Sequence, residues 1–113
     1  MQPHSTYNYL TQEEFDNASL SELIAYRMKN LRIMNSWTQE QLAFESGLDR
    51  SYVGQIERCE KHVTVVTLSK IANTFGIDLI DFLRFDSLIN PKKKQEIEEK
   101  IQKRREKRGA TKQ

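Results

Sequence analysis

Gly47 stands between two short runs of helical periodicity, and this junction restricts the chain more than any other feature. Thr38 is a strong N-cap with Gln41 three residues on, so a helix starts there and runs through Leu42 and Ala43 to Ser46. Glycine takes a positive φ without the Cβ penalty and ends that helix. Asp49 then caps a further helix reaching Arg58. The two must fold back on each other at an angle. Ala43 is small enough for their crossing point, and Leu42, Leu48, Val53 and Ile56 are the aliphatic residues that fill the angle.

Spacings of three and four residues continue on both sides of this pair. Upstream, Leu20, Leu23, Ile24, Met28, Leu31 and Met34 form the apolar stripe of a long first helix beginning after Ser19. Trp37 is expected to pack beneath the turn that follows it. Downstream, a loop over 59–66 leads to a helix from Thr67, with Leu68, Ile71, Ala72 and Phe75 on one face and Gly76 as its stop. Asp78 caps a fifth helix, with Leu79, Phe82 and Leu83 facing inward. Residues 63–67 have strand propensity but no partner strand, so they read as loop. The sequence therefore predicts an all-α domain of five helices over residues 19–88. A polar, poorly ordered arm (1–18) precedes it, with one short turn near Thr11–Phe15 where Thr-Gln-Glu-Glu resembles a capping box. A basic tail (89–113) follows; beyond Pro91 only Ile97 and Ile101 are apolar, so a helix there buries little surface.

Composition narrows the function. A chain of 113 residues, 37% hydrophobic, holds one modest core. No apolar run approaches the roughly 20 residues needed to cross a bilayer, and Met1–Leu10 lacks the flank and apolar stretch of a secretory signal. The single cysteine, Cys59, has no second thiol for a disulfide or a zinc site. Its neighbours Glu57 and Glu60 are expected to raise its pKa, which argues against a redox switch. His4 and His62 are isolated from other ligand types. No nucleophile–base constellation or phosphate loop is legible. The expectation is a soluble, cytoplasmic, non-enzymatic protein without metal, cofactor or membrane partner. Residues 1–90 carry 8 Lys+Arg and 12 Asp+Glu, while residues 91–113 carry 10 and 4, so an acidic body precedes a basic tail within a net charge of +2. Such a tail reads either as an arm for nucleic acid or another anion, or as a solvated extension.

Two helices joined by a turn of about four residues containing glycine form a helix-turn-helix. On the second of them Val53 and Ile56 point one way, while Ser51, Gly54, Gln55 and Arg58 point nearly opposite, with Arg50 and Tyr52 flanking. Arg can bind guanine O6/N7 in bidentate fashion and Gln can do so with adenine N6/N7, so this face suits base edges. Gly54 costs about 1 kcal/mol against alanine within a helix, which a close backbone approach to a surface would explain.

The phrases Trp37-Thr-Gln-Glu-Gln-Leu-Ala43, Gly47-Leu-Asp-Arg-Ser-Tyr-Val53, Gln55-Ile-Glu-Arg58, Leu68 with Ile71-Ala72, and Phe75-Gly-Ile77 carry a resemblance over residues 21–83. The chain resembles the lambda-repressor-like, Cro/C1-type (XRE) helix-turn-helix family, and in phrase the controller proteins of restriction–modification systems. The resemblance implies base reading by Arg50, Ser51, Tyr52 and Gln55. It implies backbone contacts by Thr38, Gln39, Arg58, Lys61 and His62. It also implies a structural salt bridge between Arg32 and Glu57. Cys59 departs from the family's usual glycine, a position that takes positive φ.

The implied function is a transcription regulator that binds an operator in double-stranded DNA as a homodimer. Phe82, Leu83, Phe85, Leu88 and Ile89 exceed what one short helix needs, so they are expected to form or contribute to the dimer interface, the alternative being that they complete the monomer's own core. The alternative function is an antitoxin-type interaction module that autoregulates through its helix-turn-helix. RNA polymerase or a toxin protein would be further partners.

Overall fold

A hydroxyl N-cap starts four of the helices, three of them as full capping boxes. The computed structural model describes residues 9–89 and 91–111, except for the side chains at 91–94, 97 and 108–111. The first eight residues of the arm and the Ile97 side chain lie outside the described residues. The described chain is all-helical: α1 (Gln12–Asn17), α2 (Leu20–Met34), α3 (Gln39–Ser46), α4 (Arg50–Glu57), α5 (Val65–Thr74), α6 (Leu79–Phe82), a 3-10 turn (Phe85–Leu88) and α7 (Pro91–Thr111). The five expected helices are α2 to α6. Thr11 with Glu14, Ser19 with Glu22 and Thr38 with Gln41 form the reciprocal caps, each satisfying two backbone N–H groups.

Four expectations are corrected here. The turn near Thr11–Phe15 is a full helix, α1, which buries no residue of its own; Leu10 anchors it by donating its N–H to the Leu88 carbonyl at 2.8 Å. Helix α5 starts at Val65 and not at Thr67, because the Thr64 hydroxyl accepts from the Thr67 N–H and caps the chain two residues earlier. Local capping outweighs the β-propensity of that run. Asp49 occupies the N-cap of α4 but makes no side-chain cap bond. Phe82 and Leu88 are wholly buried within one chain and so complete its core instead of facing a second copy. Phe85 is half-buried against that core, while Leu83 is 39% exposed.

The core gathers Met28, Leu31, Leu42, Val53, Ile56, Ile71, Phe75, Ile77 and Phe82 from α2 to α6. Trp37 is half-buried and stacks on Phe75 with ring centroids 5.6 Å apart. Leu20, at the start of the α2 stripe, overhangs the core's edge at 64% exposure. Arg27, in contrast, is fully buried on the same face. Its guanidinium donates to the Phe82 and Asp81 carbonyls at 3.0 and 3.2 Å, meeting the negative end of α6.

The tail is a docked helix. Ile101 of α7 is buried in the core cluster, and two cations one turn apart compensate the buried Asp81 carboxylate. Lys100 Nζ donates to Asp81 Oδ1 at 2.8 Å, and Arg104 Nη2 lies 3.0 Å from Asp81 Oδ2 and 3.1 Å from Asp78 Oδ2. The Arg104–Asp81 contact has poor hydrogen-bond angles, so the Oδ2 charge is met by proximity alone. Two of the tail's cations are therefore structural, which the count of two apolar residues did not reveal.

Asp78 caps α6 by accepting from the Asp81 N–H at 2.8 Å. That bond first, and Arg104 after it, holds the Asp78 carboxyl below the usual carboxylate range. A carboxylate depressed in the folded state contributes stability that is complete above its unfolded pKa, about 3.9, and is lost as pH falls through the lower folded value. Urea melts of Asp78→Asn are expected to show a flatter loss of stability below about pH 4 than the parent chain. An identical acid limb in both would contradict this role.

Candidate nucleic-acid interface

The crossing of α3 and α4 is set by small and aliphatic residues together. Ala43 is buried at the contact, Gly47 turns the chain with φ 72°, and Leu48 returns its N–H to the Ala43 carbonyl at 3.0 Å. Val53, Ile56 and Leu42 fill the angle at 2% exposure or less. Helix α4 packs against both α2 and α3.

One carboxylate ties these three helices. Glu57, its side chain only 3% exposed, accepts from Arg32 Nε at 2.8 Å, from Arg32 Nη2 at 3.1 Å and from Gln39 Nε2 at 2.9 Å. The third Arg32 nitrogen, Nη1, donates to the Trp37 carbonyl at 2.9 Å and pins the α2–α3 connection. Gln39 is thus held by its amide nitrogen at the N-terminus of α3, where the first-turn N–H groups lack helical partners. Thr38, beside it, is engaged in its capping box with Gln41.

The outward face of α4 divides in two. Arg50 and Ser51 are exposed and Gln55 is half-exposed. Neither Ser51 nor the Gln55 side chain is tied to another described residue. Tyr52 differs from expectation: it is half-buried and packs against the core cluster, because it lies on the Ile56 side of the helix. Gly54 also differs, being buried instead of lying bare on the polar stripe. An ideal Cβ there would lie 2.9 Å from Arg58 Nη1, 3.1 Å from Arg50 Nη1 and 3.7 Å from Gln39 Oε1.

Beyond α4, Arg58 is exposed but not unpaired. Its Nε and Nη2 donate to Glu60 at 2.8 and 3.1 Å, which raises the guanidinium pKa and lowers that of Glu60. Sequence reasoning did not pair Glu60 with Arg58; its signal was an opposite charge two residues after the arginine. Cys59 adopts the left-handed conformation, φ 60°, that the family's glycine would take. Its thiol donates to the Ser21 carbonyl at 3.7 Å. Burial first, and Glu22 second, push its pKa up, so the cause is not Glu57 or Glu60 as expected. Lys61 and His62 are exposed on the loop that follows. No group of three or more metal-ligating side chains is found among the described residues, and none of their helices is long and apolar enough to cross a membrane.

Removing Glu57 would leave Arg32 partly buried without its counter-charge, a change that typically costs about 3–5 kcal/mol. Glu57→Ala is therefore expected to lower the unfolding free energy by about 3 kcal/mol in denaturant titration. A loss under 1 kcal/mol would show that the carboxylate does not brace the three helices.

Comparison with known proteins agrees with this geometry. Residues 28–82 match the HTH_3 helix-turn-helix family. A hypothetical transcription factor of Neisseria meningitidis is 36% identical over 62 residues, which span 55% of this chain and 58% of that protein. The control protein C.SmaI of Serratia marcescens is 37% identical over 71 residues, 63% of this chain and 84% of the relative. Among solved structures, the restriction-modification controller protein C.AhdI of Aeromonas hydrophila superposes with a TM-score of 0.53 at 38% identity, over 56% of this chain and 96% of that one. With the Gly47 turn, the α3–α4 crossing and these matches in agreement, the chain belongs to the HTH_3 helix-turn-helix family and is a transcription regulator of that type.

Proposed function

We propose that α4 enters the major groove of an operator and reads base edges through Ser51, Tyr52 and Gln55, with Arg50 at its opening. The observation that carries this reading is the outward pair Ser51 and Gln55 on α4, backed by a braced core, with neither side chain tied to another described residue. Gln39, Arg58, Lys61 and His62 border that pair and, with Thr38, meet the phosphates on either side. The likeness to C.SmaI and C.AhdI supports a role in controlling restriction–modification genes. A methyltransferase and an endonuclease encoded beside the gene would agree with that role.

The regulator acts as a homodimer on an inverted repeat, placing two α4 helices about 34 Å apart. With Phe82 and Leu88 inside the core, the second copy meets the exposed aliphatic groups of the adjoining helices α5 and α6. Val65, Val66 and Ile80 are 66%, 78% and 74% exposed, and Leu83, three residues after Ile80, is 39% exposed. Large exposed aliphatic groups on adjoining helices are typical of association surfaces.

Gel-shift competition among operator variants tests the reading. Gln55→Ala is expected to relax discrimination at one base pair per half-site by about 1–3 kcal/mol, whereas Lys61→Ala weakens all duplexes alike. Equal loss of discrimination in both would contradict the division. Sedimentation equilibrium tests the assembly: Ile80→Asp is expected to yield a folded monomer with weakened operator binding, and an unchanged dimer would move the interface elsewhere.

A further inference from the structure

The bare Cα of Gly54 has a use that base reading alone does not require. Over it converge Nη1 of Arg50, Nη1 of Arg58 and Oε1 of Gln39, all bordering the space that a single methyl group would fill. Each of the latter two is aimed there by a separate bond. Arg58 has Nε and Nη2 engaged by Glu60, which leaves Nη1 toward Gly54. Gln39 has Nε2 engaged by Glu57, which leaves Oε1 on the same side. Arg50 has no carboxylate partner among the described residues. Two guanidinium groups placed side by side over a glycine, with like charges that repel, form a site whose natural complement is one doubly coordinated anion.

We propose that Gly54 is a positioning residue that lets Arg50 and Arg58 clamp a single DNA phosphate between the start of α3 and the recognition helix. The proposal rests on the reading of this face as DNA-contacting and deepens it. Two charged N–H donors at about 2.7–2.9 Å from oxygens of one phosphate make the strong class of hydrogen bond. The Gln39 carbonyl oxygen borders the same space, 3.7 Å from where a Cβ of Gly54 would lie, and leaves it open toward the two guanidinium groups. The clamp assigns Arg50 to the backbone in place of the base edge that the family resemblance implies for it, and leaves sequence readout to Ser51, Tyr52 and Gln55. The helix-breaking tendency of glycine is tolerated at this position because a Cβ would displace one or both guanidinium groups.

The test uses the full chain and a fluorescein-labelled duplex of random sequence, followed by anisotropy across a salt series. Gly54→Ala is expected to keep its helical circular dichroism and to melt no lower than the parent, since alanine favours the helix and only flexible side-chain ends need move. It is expected to bind the duplex at least tenfold more weakly, with the slope of log K against log salt reduced by about 1. Arg50→Ala and Arg58→Ala should each show the same loss, and the double variant should lose little more than either, because one phosphate is shared. Affinity and slope unchanged in Gly54→Ala, or losses for the two arginines that simply add, would overturn the clamp while leaving the DNA-contacting face intact. A parent chain that binds no duplex at low salt would overturn that face itself.

Discussion

The architecture hinges on the Glu57 carboxylate. A charge so nearly buried is unfavourable unless every oxygen is met, and here Arg32 meets both while Gln39 adds a third donor. The consequence is geometric before it is energetic. Pairs of this kind add little net stability against an apolar replacement, yet they admit one arrangement of their partners. Because Arg32 also holds the Trp37 carbonyl, the end of α2, the entry to α3 and the last turn of α4 are fixed relative to one another. On the proposed reading, Gln39 and the outer face of α4 must sit at a set distance to follow one duplex. That distance is imposed by a single side chain.

A second charge cluster governs the opposite part of the domain. Asp81 is buried at the short helix α6, its carbonyl accepting from Arg27 and its carboxylate facing Lys100 and Arg104. Ile101 adds the apolar contact that seats α7 beside Gly76. Helix α7 packs on the 3-10 turn, and α4 packs on α2 and α3, so the two clusters serve different faces. The basic tail is thus part of the fold as well as a store of charge. Lys103, Arg105 and Lys107 remain exposed on it.

Much of this was legible in the residues. Thr38, Gly47, Gly76 and Asp78 mark helix ends by local chemistry, and the structure places a cap or a left-handed turn at each. Local rules succeed where the competing interactions are also local. They fail where a distant partner decides the outcome. Arg27 reads as solvated until the α6 carbonyls approach it across more than fifty residues. The α7 helix reads as a free arm until Asp81 is seen to be buried. On α4 the apolar and polar sides were correct in outline, but Tyr52 and Gly54 sit at their boundary, where the packing of Ile56 and the reach of two arginines determine exposure. Phe82 and Leu88 were assignable to core or interface only once the 3-10 turn had brought them inward.

We propose that α4 presents a sequence-reading face to double-stranded DNA, used twice with two-fold symmetry. Repeated selection of bound duplexes from a pool of random sequence, at moderate salt, decides whether it does. Enrichment of one inverted repeat whose half-site centres are about 10 base pairs apart, a single helical turn, is the expected result. Recovery of a pool no different from the starting one would contradict it.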